Sequence, residues 1–308
     1  MDNKAAPTDK GLRGVVVVGG SAGAVEALQT VAAGLPADLP YTAMVAVHMP
    51  PGGISALARI LDRSGPLPAH RVRSGDPLRP GHIHVAVPDH HLLADGDRVV
   101  LSQGPTENGH RPALNALFRS VAVAFAERSV GVLLSGVLDD GVPGLGAIRA
   151  RGGVTAVQHP GDALFAAMPC HALEAGVVDH RVTAAGVGRL LAELAQRRVE
   201  VAPREPDRRM ELENRIAMSS HYVEAAQANT LGKQSGFVCP DCNGSLMEVR
   251  GSGFRCRVGH VWTGEALAQA RTDEVSRAMW IALRSLAEKA KLCRKLAAAV
   301  TPGALLDR

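Results

Sequence analysis

The sequence predicts an α/β fold: a doubly wound, mostly parallel sheet in a Rossmann-like three-layer arrangement, then a small cysteine-bearing module and a long helix. Three observations predict it. Over residues 13–197, short continuous apolar runs alternate with segments of helical periodicity, which is the mark of repeated β-α-β units. Near residue 198 that alternation stops in a stretch mixing proline with charge, VEVAPREPDRRMEL. Beyond it, residues 236–263 are glycine-rich and hold three of the five cysteines, and residues 264–299 are nearly free of helix breakers.

The elements follow in order. Val15–Val18 is an unbroken apolar run ending in Gly19-Gly20, as a strand covered on both faces would be. Residues 24–33 read as a helix, Thr42–Val47 as a second strand and Ile54–Leu61 as a second helix. Residues 82–87 (HIHVAV) form another strand. His91–Ala94 and Val99–Ser102 flank Asp95-Gly96-Asp97 as a hairpin. Residues 113–127 are helical, and Val130–Ser135 is again a buried-type strand. A helix, the strand Val154–Val157, a helix at 169–175, a strand at 177–182 and a helix at 184–196 close the series. The chain then divides into a disordered tail at 1–12, the α/β domain at 13–197, a linker with a helix over 208–229 inside 198–235, the cysteine module at 236–263 and the C-terminal helix at 264–308.

Bulk properties exclude several classes. Apolar residues at 46% and charged residues at 21% suit a soluble globular protein, and aromatics at 3% require a core of aliphatic side chains. A net charge of +4, with basic residues scattered apart from Arg197-Arg198 and Arg208-Arg209, argues against a nucleic-acid partner. No run approaches the ~18 apolar residues of a membrane span, and the polar start MDNKAAPTDKGLRG lacks the apolar core of a secretion signal. A cytoplasmic protein without membrane insertion is expected, with its clustered cysteines serving a metal rather than disulfides.

The strongest local signal is Gly19-Gly20-Ser21-Ala22-Gly23, a G-x-S-x-G turn between a buried strand and a helix. Small neighbours let the chain turn sharply and expose a serine hydroxyl at the strand's C-terminal end, where open α/β sheets bind ligands. The following helix N-terminus offers unpaired N–H groups to an oxyanion. Two plainer readings stand beside a nucleophile: a capping serine, and a dinucleotide-binding turn. The fingerprint of the latter fails because Ser21 occupies its second glycine.

A nucleophilic serine needs a base. His48 ends the second predicted strand just before Pro50-Pro51-Gly52. Asp140 follows the strand Val130–Ser135 in Ser135-Gly136-Val137-Leu138-Asp139-Asp140-Gly141, where a carboxylate could orient an imidazole. A structural histidine, and helix capping by either aspartate, are the competing readings.

These segments resemble the catalytic domain of the CheB-type chemotaxis protein-glutamate methylesterases. The likeness runs over about residues 13–195 and is carried by GGSAGA, VHMPPG, PGHIHVAVPDHHLL, NGHRPALNALFRSVA, SGVLDDGVPGL and MPCHALEAGVVD. It implies a triad of Ser21, His48 and Asp140, and oxyanion amides near Ala22 and Val137. It implies hydrolysis of glutamate methyl esters, and deamidation of certain glutamines, on methyl-accepting chemotaxis receptors. Arg111, in the HRP run, would bind the acidic receptor segment or merely flank a helix. Ala22, Ala24, Leu138 and Asp139 depart from the family's usual residues, which bears on substrate preference more than on the triad. Regulated members carry a phospho-receiver domain ahead of the catalytic one. Only about a dozen residues precede the first strand here, so control by a separate partner is expected. A catalytically silent partner-binding module of the same fold, or an esterase for another substrate, are the alternatives.

Cys239-Pro240-Asp241-Cys242 and Cys256-Arg257-Val258-Gly259-His260 give C-x2-C and C-x3-H. Three thiolates and an imidazole suit a structural, tetrahedral zinc ion in a zinc-ribbon-like module. The helix that follows spaces Leu267, Val275, Met279, Leu283, Leu286 and Leu296 as a docking or self-association face.

Overall fold

The structure is a computed structural model that describes residues 11–53, 55–199, 205, 207–218, 232–249 and 253–299. Residues 1–10 of the expected tail at 1–12, and the part of the expected helix at 219–229, lie outside these residues.

The chain runs β1 (Gly14–Gly20), α1 (Ala24–Gly34), β2 (Tyr41–Val47), α2 (Leu57–Ser64), β3 (Ala69–Arg71), β4 (Ile83–Val85), β5 (His91–Asp95) and β6 (Arg98–Ser102). It continues with α3 (Leu114–Phe125), β7 (Ser129–Leu133), α4 (Val142–Ala150), β8 (Val154–Gln158), α5 (Ala167–Glu174), β9 (His180–Val182), α6 (Val187–Gln196) and α7 (Arg208–Met218). The C-terminal part holds β10 (Lys233–Val238), β11 (Ser245–Val249), β12 (Gly253–Cys256), β13 (Val261–Trp262) and α8 (Gly264–Ala299).

Seven strands pair in the order β3-β4-β2-β1-β7-β8-β9, every neighbour parallel. The alternation of side chains along a strand splits the core into two layers. Val16 and Val18 of β1 face α1, α2 and α6, through Leu28, Leu61 and Leu191. Val15 and Val17 face α3, α4 and α5, through Phe118, Leu145 and Met168. The β5–β6 hairpin, with Leu92, Ala94 and Val99, extends this second layer. A central strand covered on both faces has no polar side to show, which is why β1 reads as four consecutive valines. The doubly wound three-layer fold expected from the sequence is therefore the one observed.

Boundaries differ where the signal was local. β3 is only Ala-His-Arg and carries no apolar run to reveal it. α2 begins at Leu57 rather than Ile54, with the Leu57 amide donating to Ser55 Oγ (3.3 Å). β9 starts at His180 rather than 177 because the Asp179 amide is tied back to Thr155.

Strands β10–β13 form an antiparallel sheet, which matches a ribbon-like module. This sheet and the α/β domain fall within one compact unit, Met1–Gly264; Glu265–Arg308 is a second unit, made of α8 from Glu265 on. Within α8, Val275, Met279, Trp280, Leu283, Leu286 and Leu296 are exposed.

Candidate active site

The chain starts at the centre of its sheet, winds out to β3, and returns to the other side of β1. The crevice beyond the C-terminal ends of β1, β2 and β7 is thus a topological switch point, where doubly wound sheets place their ligands. Ser21 follows β1, His48 follows β2, and Asp140 lies in the loop after β7.

The serine turn is shaped by close approach. A Cβ on Gly20 would stand 2.5 Å from Ala24 Cβ and 3.1 Å from Ser135 O. Gly23 precedes α1 at φ 70°, a left-handed conformation that favours glycine. The Ser21 amide donates to Ser135 O (2.9 Å), which ties the turn to the loop after β7.

The three side chains form a chain of contacts. His48 Nδ1 lies 3.2 Å from Ser21 Oγ, and His48 Nε2 lies 2.6 Å from Asp140 Oδ2. The Asp140 carboxylate is 2% exposed and sits at the N-terminus of α3, accepting from the amides of Leu114 (2.8 Å) and Asn115 (3.3 Å). Burial alone would raise its pKa. The hydrogen bond and charge of His48, with the Leu114 amide, outweigh that and hold it below the ordinary value. The group is therefore a carboxylate at neutral pH. It accepts the Nε2 proton and leaves the Nδ1 lone pair turned toward the serine hydroxyl.

Neither the Ala22 nor the Val137 amide donates to another described residue. Arg111, expected either to bind an acidic segment or to flank a helix, is held by its own chain. Its Nε and Nη2 donate to Asp89 Oδ1 (3.0 and 2.6 Å), and Nη1 donates to the carbonyls of Gln103 and Gly104 (3.2 and 2.9 Å). Those bonds engage all three guanidinium nitrogens, and the hydrogen bond from Arg111 draws the Asp89 pKa down. Arg111, Asp89, His48 and Pro50 line a cleft of about 460 Å³.

A family model described as CheB methylesterase matches residues 16–191. The chain belongs to the CheB methylesterase family. A Geobacter metallireducens protein named protein-glutamate methylesterase/protein-glutamine glutaminase 4 is 41% identical over 167 residues, covering 54% of this chain and 48% of that protein. An Anaeromyxobacter dehalogenans protein named protein-glutamate methylesterase/protein-glutamine glutaminase 3 is 42% identical over 177 residues, covering 57% and 52%. The crystal structure of the Thermotoga maritima CheB methylesterase catalytic domain superposes with a TM-score of 0.56 at 28% identity, covering 59% of this chain and 98% of that one. This CheB-family chain thus spans about half the length of the curated relatives it matches.

Sequence reasoning missed two residues of this CheB-family site. His110 stacks on His48, with ring centroids 3.6 Å apart and planes 14° from parallel. Burial, then the charge of His48, lower its pKa to about 4, so a neutral ring covers the imidazole. The clues in the sequence were its place beside Arg111 and within the run NGHRPALNALFRSVA. Asn115 was the second: its Oδ1 accepts from the amides of Gly141 and Gly144 (2.9 Å each), which fixes the loop carrying Asp140. Leu138, one of the departures from the family pattern, sits at φ 60°. A small or amide residue tolerates that conformation better than leucine.

The four ligand atoms of Cys239, Cys242, Cys256 and His260 lie within 4.8 Å of one another. Cys242 and Cys256 sulfurs are 3.6 Å apart, and His260 Nδ1 is 3.7 Å from Cys239 Sγ and 3.4 Å from Cys256 Sγ. Bonds of about 2.3 Å to sulfur and about 2.0 Å to nitrogen at tetrahedral angles require edges of about 3.8 and about 3.5 Å. The set is therefore of the right size and chemistry for one tetrahedral metal ion. Among the described helices, none is long and apolar enough to cross a membrane.

Proposed function

We propose that the chain is a protein-glutamate methylesterase that also deamidates glutamine, with Ser21 as nucleophile, His48 as general base and acid, and Asp140 as the carboxylate that orients and stabilises the imidazole. The observation that carries this reading is the Ser21–His48–Asp140 chain of 3.2 and 2.6 Å contacts at the switch point. Ser21 Oγ adds to the ester carbonyl as His48 Nδ1 takes its proton. The tetrahedral oxyanion is held by the amides of Ala22 and Val137. Methoxide leaves with the proton returned by His48, as methanol, and an acyl-serine forms. Water, deprotonated by the same nitrogen, then releases glutamate and restores Ser21. With a glutamine substrate the leaving group is ammonia.

The substrate we assign is the methylated glutamyl side chain of a chemoreceptor-type signalling protein, met in the cytoplasm. Pro50 and Pro51 give the cleft an apolar wall, and Arg111 leaves one N–H for a neighbouring carboxylate. We assign zinc to the Cys239–Cys242–Cys256–His260 set, in a structural role: the donors fill a tetrahedron and leave no open position for substrate. When bound, the ion supplies cross-linking of β10–β13, and no step of the hydrolysis passes through it.

The test is labelling by a serine-directed fluorophosphonate, then methanol release from a methylated receptor peptide. Wild type labels and hydrolyses, while Ser21→Ala and His48→Ala do neither. An unlabelled wild type that is folded and carries metal sinks the reading.

A further inference from the structure

The β10–β13 sheet is built onto the two loops that frame the candidate triad. On one side it meets the turn at 106–110. The Val261 amide donates to Thr106 O (3.1 Å), and the Asn108 amide donates to Val261 O (2.7 Å). The Thr263 amide donates to Asn108 Oδ1 (2.8 Å), and Thr106 Oγ1 donates to Asp241 Oδ2 (2.5 Å). Val261 is the neighbour of His260 in the chain, and Asp241 of Cys242. Two metal-ligand positions are thus one residue away from contacts to this turn.

The turn itself has little freedom. Asn108 and Gly109 both sit at positive φ, 53° and 73°, and a Cβ on Gly109 would lie 3.3 Å from the Trp262 ring. Its far end is closed by the Glu107 and His110 amides exchanging bonds with each other's carbonyls (3.3 and 2.9 Å). His110 leaves this turn and stacks on His48. Buried charge ties the same pieces together: Glu107 pairs with Arg119 of α3, and Arg119 lies 3.9 Å from Glu213 of α7.

The second contact is a single hydrogen bond. Thr263 Oγ1 donates to Asp139 Oδ1 at 2.7 Å, and Asp139 immediately precedes Asp140. From the Cys3His end of the sheet, one path runs through 106–110 to the ring that covers His48. The other runs through Thr263 to the backbone that carries Asp140.

We propose that the cysteine-bearing sheet is a positioning element of the hydrolase site, with Thr263 and Asn108 as its positioning residues, so that metal binding at Cys239, Cys242, Cys256 and His260 sets the geometry of His48 and Asp140. This rests on the triad reading given above. The metal works at a distance here, by fixing the strand ends from which Val261 and Thr263 reach out. Loss of the metal frees those ends and slackens both loops together.

The test uses the full, metal-loaded chain. Thr263→Val removes one hydroxyl and keeps the side-chain volume, and Thr263→Ser restores the hydroxyl. With histidines labelled at Cε1, the His48 and His110 NMR signals are followed in wild type, in both variants, and in wild type stripped by a chelator. His48 is assigned by its loss in His48→Gln. The expected result is that Thr263→Val keeps its metal content and thermal midpoint yet moves the His48 and His110 signals. Its kcat for methanol release falls by roughly tenfold or more, with KM unchanged. Thr263→Ser returns both to wild type. Metal removal moves the same two signals in the same direction.

A His48 signal unmoved in Thr263→Val overturns the proposal. If the stripped chain unfolds, the Thr263 pair still decides, because it retains the metal. If wild type proves unreactive toward fluorophosphonate, the hydrolase reading fails, while the histidine signals still report whether the sheet and His48 are coupled.

Discussion

Asn115, at the start of α3, and Asp140, in the loop after β7, bind each other's segments: the Asn115 amide donates to Asp140 Oδ1 at 3.3 Å, while Asn115 Oδ1 accepts from Gly141, next to Asp140 in the chain, at 2.9 Å. Asn115 is 4% exposed, so nothing in solvent replaces what its side chain provides. Asn115→Ala leaves the Gly141 and Gly144 amides buried without an acceptor, which costs about 1–3 kcal/mol for each. Urea unfolding shows the loss. If the triad reading holds, kcat falls as well, because the carboxylate is no longer fixed. A variant as stable as wild type shows that the loop is held by other contacts.

Leu138 at φ 60° should make the loop after β7 less stable than it could be. The left-handed conformation costs an ordinary residue about 1–2 kcal/mol, and asparagine much less. Leu138→Asn therefore raises the unfolding free energy by about 1 kcal/mol. Denaturant titration of the two proteins at equal pH measures it. An unchanged or lower midpoint shows that leucine's packing outweighs its backbone conformation.

Part of the pH dependence of stability comes from two imidazoles, the buried His84 and the partly buried His110. Burial, foremost, lowers His84 to about 4, as it does His110. Neither ring nitrogen of His84 has a hydrogen-bond partner among the described residues. Between about 4 and the ordinary value of 6.5 the unfolded chain binds protons that the folded chain does not. Stability contributed by the neutral rings is complete above pH 6.5, declines as pH falls through that window, and is gone below about 4. His84→Leu flattens the decline. Denaturation midpoints at several pH values check it, and equal slopes in the two proteins refute the assignment to His84.

Glu107 and Arg119 are 3% and 6% exposed and pair with each other. Glu107→Ala strands a guanidinium in the interior, so it should cost about 3–5 kcal/mol, far above a surface ion pair. A melting temperature within a degree or two of wild type would show that Glu213 takes over the charge.

The sequence announced what depends on covered faces and strand ends. Four valines in β1 had to be central, and Ser21, His48 and Asp140 each stood where a strand ends in glycine or proline. It concealed what depends on contacts between distant segments. β3 has three residues and no apolar pattern. His110 looks like any loop histidine until the turn at 106–110 is folded over His48. Nothing local signals that Arg111 is held by Asp89, because Asp89 lies on another loop. No local periodicity encodes Thr263 meeting Asp139 across more than a hundred residues of chain.

The winding of the sheet has a consequence for synthesis. β7, which delivers Asp140, takes its place beside β1 only after the whole β2–β4 side has been made. A chain emerging from the ribosome holds Ser21 and His48 long before it holds the carboxylate or the helix that caps it. On the triad reading, such a nascent fragment has a serine and an unoriented ring but no assembled centre. The same order means that a protease cut between the two halves separates Asp140 from Ser21 and His48 unless the pieces stay paired along β1 and β7.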